Sequence, residues 1–227
     1  MAIIGKNVIE NLTTAMYEDL KIIYREYIQN SADSIDHAVK EKIIEARDAR
    51  IEINIEANKR YICIKDNGTG IQADKFEKIM SSIADSQKSR ESDKGFRGIG
   101  RLGGKLIFKC SAYGELIQSC FIWDAKKVKE ILADKDFNPT ASELVDTVTS
   151  CSTEPAEFEK HFFSVELLDV DKSAEELLVK EQVEDYLEAV APVPYSTGFY
   201  SSGKIKEYAK AHNFHIDIDN IFVNGNQ

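Results

Sequence analysis

The sequence predicts the α/β fold class, in which helices and strands pack around a shared hydrophobic core. A long helix is predicted over about residues 14–44, because apolar side chains recur there at spacings of three, four and seven. The segments 50–57 and 61–66 alternate apolar and polar residues around a short turn at Asn58, which predicts a β-hairpin. With 227 residues, of which 43% are hydrophobic, the chain is long enough to bury such a core.

The remaining elements follow from the same patterns. Amphipathic periodicity predicts further helices over residues 73–84, 124–132, 173–192 and 204–213. Apolar and β-branched stretches predict further strands over residues 116–123, 161–171 and 214–227. Ser173 is the expected N-cap of its helix. Residues 105–114 are interpreted as the end of a helix, and residues 134–158 show only a weak pattern.

Composition excludes several classes of protein. A net charge of −10 disfavours a surface that follows nucleic-acid phosphates, since such binding depends on many cations. Six cations between Lys88 and Lys105 instead favour a small anionic ligand. The four cysteines form no CxxC pair, so neither a zinc site nor a redox dithiol is indicated. No apolar run approaches the roughly 18 residues of a membrane span, and no signal peptide is evident, so a cytoplasmic protein is expected.

A glycine-rich segment raises the question of a phosphate-binding loop. Gly98, Gly100 and Gly103 match G-x-G-x-x-G, but a charged segment precedes them where the dinucleotide fingerprint requires a buried strand. A Walker A loop fails as well, because Gly104-Lys105 is not followed by Ser or Thr. An overlapping pattern remains, in which glycines bring backbone N–H groups close to phosphate at the start of a helix. Its glycines are Gly95, Gly98 and Gly100.

Two polar clusters accompany the glycines. Glu26, Asn30 and Asp33 are four and three residues apart, so they project together from the side of the first helix that faces away from its apolar residues. Asp66 ends the second strand of the hairpin and enters the turn "DNGTG", in which Gly68 and Gly70 allow a sharp bend.

Together, the motifs "EYIQNSAD", "DNGTG" and "GFRGIG" resemble those of the GHKL superfamily of ATPases (gyrase, heat-shock chaperone, histidine kinase and MutL), which are built on the Bergerat ATP-binding fold. The resemblance covers roughly residues 10–190. It implies a two-layer α/β sandwich, with a mixed, largely antiparallel sheet covered on one face by helices and a mobile lid at about residues 81–104. Residues 183–199 and the tail around 221–225 resemble the exit from a chaperone-type ATPase domain, which favours the heat-shock-chaperone branch.

The resemblance also assigns roles to residues. It implies that Glu26 is the general base for the water that attacks the γ-phosphate, that Asn30 is the Mg²⁺ ligand, and that Asp33 supports the nucleotide from beneath. Asp66 is implied to accept a hydrogen bond from the adenine amino group, with Gly68 and Gly70 letting the backbone approach the base. The adenine pocket would be lined by Ile71, Ile79 and Met80.

The lid and one late strand complete the implied site. The resemblance makes Ser86 and Lys88 lid contacts, and it places Arg97 among the groups that neutralise phosphate charge. The phosphate loop would comprise Gly95, Gly98, Ile99 and Gly100. Family members often carry a Gly-Thr pair on a late strand, and Ser164 of "HFFSVEL" is interpreted as its substitute.

The expected function is an ATP-binding domain that slowly hydrolyses Mg-ATP to ADP and uses lid closure as a switch in a larger, chaperone-like protein. We expect this domain to span residues 1–195, and residues 196–227 to be a linker and the truncated start of a following domain. A homodimer through the full-length protein is expected, with an unknown client and no nucleic acid or membrane partner. Two alternatives stay open: a non-hydrolysing ATP sensor or scaffold, and the ATPase module of a DNA-acting protein of the gyrase or mismatch-repair kind.

Overall fold

The computed structural model describes residues 19–82, 102–134, 139–191, 200–211 and 221–225. The described strands are β1 (Ile51–Glu56), β2 (Tyr61–Asp66), β3 (Lys105–Ser111), β4 (Ile117–Asp124), β5 (Thr149–Pro155), β6 (Phe162–Leu168) and β7 (Ile221–Val223). The described helices are α1 (Ile22–Lys40), α2 (Ala73–Ser82), α3 (Ala125–Ala133), α4 (Ala141–Val148), α5 (Lys180–Val190) and α6 (Ser202–Ala211). Short 3₁₀ helices span Ala46–Asp48, Ala57–Lys59 and Lys172–Leu178.

The strands form a single mixed sheet in the order β5-β4-β3-β6-β2-β1-β7. Every neighbouring pair is antiparallel except β1 and β7, which run parallel. Helix α1 packs on this sheet and shares its hydrophobic core. The predicted α/β sandwich with a mixed, largely antiparallel sheet is therefore confirmed.

The β1–β2 hairpin shows how the sequence divides the sheet into two faces. Ile53 pairs with Ile64, and both side chains are buried toward α1 on what we call the inner face. Glu52 pairs with Lys65, and both are exposed on the outer face. Because side chains alternate along each strand, this register decides which face every later strand residue occupies.

Helix α1 is held from both sides. Its buried residues, which include Ile28 and Ile35, pack against the inner face. The hydroxyl of Tyr24 donates a 2.7 Å hydrogen bond to the carbonyl of Leu177, in the 3₁₀ helix that precedes α5. Burial raises the pKa of Tyr24 far above its usual value, so this hydroxyl remains a donor at all ordinary pH values.

The structure corrects the sequence interpretation between residues 105 and 158. Residues 105–111 do not end a helix but form β3, which lies between β4 and β6 with Leu106, Phe108 and Cys110 buried. The weakly patterned region contains α4 and β5. A capping box begins α4, since Thr140 and Glu143 exchange side-chain and backbone hydrogen bonds. All of β5 after Thr149 is exposed, so it lacks the apolar alternation that identifies a strand in sequence.

The N-cap expected at Ser173 is also wrong. The Asp171 carboxylate caps the 3₁₀ helix instead, accepting a hydrogen bond from the Ser173 backbone N–H. This bond, together with contacts from Lys129 and the Ser173 hydroxyl, lowers the pKa of Asp171 to about 2. The helix predicted over 173–192 divides into Lys172–Leu178 and α5.

The end of the chain belongs to the same sheet. Within residues 196–227, which the sequence interpretation assigned to a linker and a following domain, β7 pairs with β1 and places Ile221 opposite Ile51. The side chain of Asn224 bonds both backbone groups of Ile55, accepting from its N–H at 2.7 Å and donating to its carbonyl at 3.1 Å. Among the described residues, no helix is both long and apolar enough to span a bilayer.

Candidate nucleotide site

Asp66 occupies the end of β2 on the inner face, beneath α1. Its carboxylate is 3% exposed and accepts hydrogen bonds from the Ser31 hydroxyl at 2.9 Å and from the Gly68 N–H at 2.8 Å. Burial raises the pKa of Asp66 to about 6, although these hydrogen bonds act in the opposite direction. A buried carboxylate that is costly to ionise but still supplied with donors is typical of a ligand site.

The turn after Asp66 requires both of its glycines. A Cβ at Gly68 would lie 2.2 Å from the hydroxyl oxygen of Ser34, because the turn packs directly against α1. Gly70 has φ of +68°, and a Cβ there would lie 2.1 Å from the carbonyl oxygen of Ser111. The turn is therefore held between α1 and the end of β3, with its backbone next to Asp66.

The inner-face residues beside Asp66 form one row across three strands. Asp66 pairs with Phe163 on β6, and Phe163 pairs with Cys110 on β3. The sulfur of Cys110 accepts a 2.9 Å hydrogen bond from the backbone N–H of Ile71, which follows the glycine turn. Met80 of α2 is buried in the same core cluster. A carboxylate, a phenyl ring and a thiol thus lie side by side under the turn.

The predicted stripe on α1 lies on the side of the helix opposite its buried face. Asn30 and Asp33 are exposed, and Glu26 is partly exposed, with 23% of its side chain accessible. Arg25 contacts the Glu26 carboxylate at 2.7 Å, and Gln29 donates to Asp33 at 3.4 Å. Within the described residues, these three side chains are accessible from solvent, whereas Asp66 lies under the helix.

Ser164 does not reach Asp66. It pairs with Lys65 on β2 and with Lys109 on β3, so its side chain projects from the outer face. Phe163 is the β6 residue opposite Asp66, because a shift of one residue along a strand changes the face. The structure therefore does not support Ser164 as the substitute for the threonine of the Gly-Thr pair. That place beside Asp66 holds an aromatic ring without a hydroxyl group.

The expected lid contacts lie outside the described residues. They are Ser86, Lys88, Gly95, Arg97, Gly98, Ile99 and Gly100. The structure describes the ends of the expected lid, which are the last residues of α2 and residues 102–104. There the Gly104 N–H donates a 2.8 Å hydrogen bond to the carbonyl of Leu168, and Leu102 is buried.

Three residues near Asp66 were missed in the sequence. Ser31 lies within the motif "EYIQNSAD", directly after Asn30, and this position is the signal that could have identified it as part of the site. Ser34 packs on Gly68, and its oxygen lies 3.4 Å from the hydroxyl of Thr69. His161, just before β6, places Nδ1 2.8 Å from the carbonyl oxygen of Gly68. Sequence spacing gives no sign that residue 161 approaches residue 68, because their contact depends on the sheet order.

The described residues fit an adenine nucleotide at this place. Each carboxylate oxygen has two lone pairs, and the bonds from Ser31, Gly68 and the Phe163 backbone use three of the four on Asp66. Acceptor capacity therefore remains for an exocyclic amine. The amide oxygen of Asn30 suits Mg²⁺, which binds proteins through one or two oxygen ligands and completes its shell with water and phosphate. Among the described residues, no group of three or more His, Cys, Asp or Glu side chains is arranged to hold a metal without such partners.

The fold and the site together define an ATPase domain of a recognised family. The family model described as histidine kinase-, DNA gyrase B- and HSP90-like ATPase matches residues 17–155, which is more than half of the chain. The chain belongs to this family, and the predicted GHKL resemblance is confirmed.

Curated relatives point to two branches of this family. The chaperone protein HtpG of Frankia casuarinae is 29% identical over an alignment of 103 residues, covering 40% of this chain and 16% of the relative. HtpG of Porphyromonas gingivalis is 26% identical over 140 residues, covering 57% of this chain and 20% of the relative. The DNA mismatch repair protein MutL of Aquifex pyrophilus is 36% identical over 85 residues, covering 34% and 20%. The matches thus span a fifth or less of these relatives.

Proposed function

We propose that the chain binds Mg-ATP and slowly hydrolyses it to ADP and phosphate, and that lid closure over the nucleotide acts as a switch in a larger, chaperone-like protein. The observation that carries the proposal is the buried Asp66 carboxylate, which keeps acceptor capacity while Ser31 and Gly68 hold it in place. Family membership supports ATPase activity in general. The HtpG relatives support the chaperone-like branch.

Asp66 selects the base in this proposal. Its carboxylate accepts a hydrogen bond from the adenine amino group, whereas guanine presents a carbonyl oxygen at the same position and would be repelled. A hydrogen bond to a charged group contributes about 1.5 to 3 kcal/mol. The side chains of Phe163, Ile71 and Met80 would supply the apolar surroundings of the base.

Glu26 and Asn30 act at the phosphate end. Glu26 would take a proton from the attacking water, and Arg25, at 2.7 Å, holds its carboxylate in one orientation. Asn30 would hold Mg²⁺ through its amide oxygen, and the bound ion would neutralise charge that develops on the phosphate oxygens. Asp33, two turns along from Glu26, would support the nucleotide from beneath. The lid residues at about 81–104 would close over the phosphates, which links nucleotide state to the shape of the domain.

Titration calorimetry with ADP, in the presence and absence of Mg²⁺, tests the proposal directly. The unmodified protein is expected to bind ADP, and Asp66→Asn is expected to weaken binding at least tenfold, because the amide turns an N–H donor or a weaker acceptor toward the adenine amine. Asp48→Asn, an exposed change at the end of a 3₁₀ helix, is the matched control. Equal affinity of Asp66→Asn and the unmodified protein would contradict the base contact.

A DNA-acting ATPase is the second candidate, because the MutL relative has the highest identity of the three, 36%. This candidate predicts that duplex or single-stranded DNA raises ATP turnover several-fold at low salt. The chaperone-like proposal predicts turnover that DNA does not change, in agreement with the net charge of −10. Measuring turnover with and without DNA at two salt concentrations separates them.

A further inference from the structure

A groove opens on the outer face of the sheet and reaches Asp66 at the end of β2. It has a volume of about 310 Å³ and is formed by the start of β1, the end of β2 and the segment that leads into β6. Lys65, Lys160 and Phe162 line it, together with Arg50. We call it the outer-face groove.

Two ammonium groups converge on one ring in this groove. The Nζ atom of Lys65 lies 4.9 Å from the centroid of the Phe162 ring, and that of Lys160 lies 5.3 Å from it. The ring itself is buried, with 7% of the residue exposed. Cation–π attraction stabilises each lysine there, but it does not neutralise the repulsion between the two charges.

Neither lysine has an acidic partner among the described residues. Lys160 donates to the neutral amide of Gln118 at 2.8 Å, and Lys65 is exposed and makes no ion pair. Arg50 is paired with Glu52 at 2.7 Å. Glu159 and Asp66 also line the groove, so its three cations face three carboxylates. Among the described residues, only Arg50 of these three cations forms an ion pair, which leaves the two ammonium groups at the Phe162 ring unpaired.

An apolar patch adjoins the groove. Tyr113, Leu116 and Phe158 are 46%, 63% and 55% exposed, which is unusual for large apolar side chains. The ring of Tyr113 packs at 6.2 Å from Phe158 and at 5.8 Å from His161, and His161 also lines the groove. Backbone hydrogen bonds from Gly114 to Phe158 and from Ala156 to Leu116 hold the two loops of the patch together.

We propose that the outer-face groove and this apolar patch form a docking surface for a peptide segment of a partner protein in which acidic and large apolar side chains alternate. Carboxylates of the segment lie between Lys65 and Lys160 and pair with both ammonium groups. Its apolar side chains cover Tyr113 and Phe158. Exposed patches of large apolar side chains that are bordered by polar residues mark protein interaction sites.

A defined peptide tests the proposal on the full 227-residue chain. The probe is an acetylated, fluorescein-labelled octapeptide in which glutamate alternates with leucine and phenylalanine, and its partner carries glutamine in place of every glutamate. Fluorescence anisotropy is expected to show a Kd of about 10–100 μM for the glutamate peptide and at least tenfold weaker binding of the glutamine peptide. Binding is expected to weaken as salt increases, because the contacts are between exposed charges.

Variants locate the binding on the surface. Lys65→Glu combined with Lys160→Glu is expected to weaken binding of the glutamate peptide at least tenfold, and Phe158→Ser several-fold. Lys172→Glu combined with Lys204→Glu, which reverses two exposed lysines elsewhere, is the matched control and is expected to bind as the unmodified protein does. Thermal melts and ADP titration show whether each variant retains the fold and the nucleotide site.

Three results would overturn the proposal. They are no binding of the glutamate peptide to the unmodified protein, equal binding of the two peptides, and undiminished binding by the Lys65→Glu, Lys160→Glu variant. Sedimentation velocity adds a fourth. If the chain alone forms a dimer that this double variant dissociates, the surface is an interface between copies of the chain and not a site for a partner peptide.

Discussion

The two ends of the candidate site differ in how far burial and hydrogen bonds hold their side chains in place. At the base end, Asp66 is buried and receives hydrogen bonds from Ser31 and Gly68. At the phosphate end, Asn30 and Asp33 are exposed on α1. The proposed base end is therefore shaped by the folded domain itself, whereas the proposed phosphate end consists of accessible side chains on one helix.

This difference separates two kinds of effect. A change at the base end disturbs buried, hydrogen-bonded groups, so it alters both the stability of the domain and its affinity for nucleotide. A change at the phosphate end removes an accessible side chain that the fold does not need, so it alters turnover with little effect on stability. Each variant below is expected to act at one of these two ends.

Glu26→Ala is expected to have the largest effect. If Glu26 is the general base, its removal lowers the ATP turnover number by about 10²- to 10⁴-fold, which is the usual contribution of general-base catalysis. ADP affinity and the melting temperature should hardly change, because the side chain is accessible and pairs only with the neighbouring Arg25 among the described residues. Single-turnover assays and calorimetry on the same preparation measure both quantities.

The control for this variant is Glu181→Ala, an exposed carboxylate in the first turn of α5. It should leave turnover unchanged. Equal, measurable turnover of Glu26→Ala and the unmodified protein would show that Glu26 is not the general base. ADP binding without turnover in either protein would instead identify the chain as an ATP sensor or scaffold.

Gly70→Ala tests how rigidly the base end is built. Alanine must adopt φ of +68°, and its Cβ would lie 2.1 Å from the Ser111 carbonyl oxygen, which belongs to the backbone and cannot rotate away. We expect the free energy of unfolding to fall by about 4 kcal/mol, since strain and a backbone clash act together. Urea denaturation followed by circular dichroism measures the change.

Gly203→Ala is the matched change, because no atom lies within 4 Å of a Cβ at that position in α6. It should be neutral or slightly stabilising, as alanine favours a helix. If the two glycine variants were equally stable, the turn after Asp66 would not be held between α1 and β3 as the structure shows.

The next largest effect is expected on the pH dependence of stability, through the ionisation of Asp66. Its pKa is raised from 3.8 to about 6 by burial, so folding favours the protonated form. The associated stability is fully present below about pH 4 and is lost as the pH rises through 6. Asp66→Asn removes this dependence while keeping the shape of the side chain. It should therefore be more stable than the unmodified protein at pH 8 by about 2 to 3 kcal/mol, and the advantage should vanish near pH 4.

Denaturation curves of both proteins between pH 4 and pH 8 measure the difference, which isolates residue 66 from the other titrating groups. A difference that stays constant across this range would show that Asp66 ionises in the folded protein as it does in solvent. Asp66 would then lack the raised pKa of a buried carboxylate, which is the property that distinguishes the base end.

The sequence predicted the accessible stripe on α1 and the turn after Asp66 because the residues of each are close along the chain. The stripe on α1 follows from helical spacing, and the Asp66 turn follows from a strand that ends in Gly-x-Gly. The neighbours of Asp66 across the sheet could not be predicted in this way. Phe163 and Cys110 lie beside it only because β6 and β3 are inserted next to β2, an order that no local pattern encodes. Ser164 was chosen for its hydroxyl group, but the side-chain period of two places it on the outer face.

The same limitation applied to whole elements. Residues 105–111 follow a glycine-rich segment and were interpreted as the end of a helix, although Leu106, Phe108 and Cys110 alternate as strand residues do. Strand β5 has no apolar alternation at all, because it lies at the edge of the described sheet and its side chains are exposed. Its pairing with β4 supplies the information that its sequence lacks.

The smallest expected effect compares two adjacent residues on opposite faces. Phe163→Leu keeps most of the apolar volume but removes the ring beside Asp66, so ADP affinity should fall by about fivefold, in line with the 0.5 to 1.5 kcal/mol that an aromatic contact contributes beyond its buried area. The affinity of this variant for a purine diphosphate without the 6-amino group should fall by the same factor, because the ring contacts the base and not the amine. Asp66→Asn should instead weaken the binding of ADP alone, and so remove the preference for ADP over this analogue.

Ser164→Ala should leave both affinities unchanged, since its side chain lies on the outer face. Calorimetry with both nucleotides separates these outcomes, and an effect of Ser164→Ala equal to that of Phe163→Leu would reverse the assignment of faces on which the base end depends.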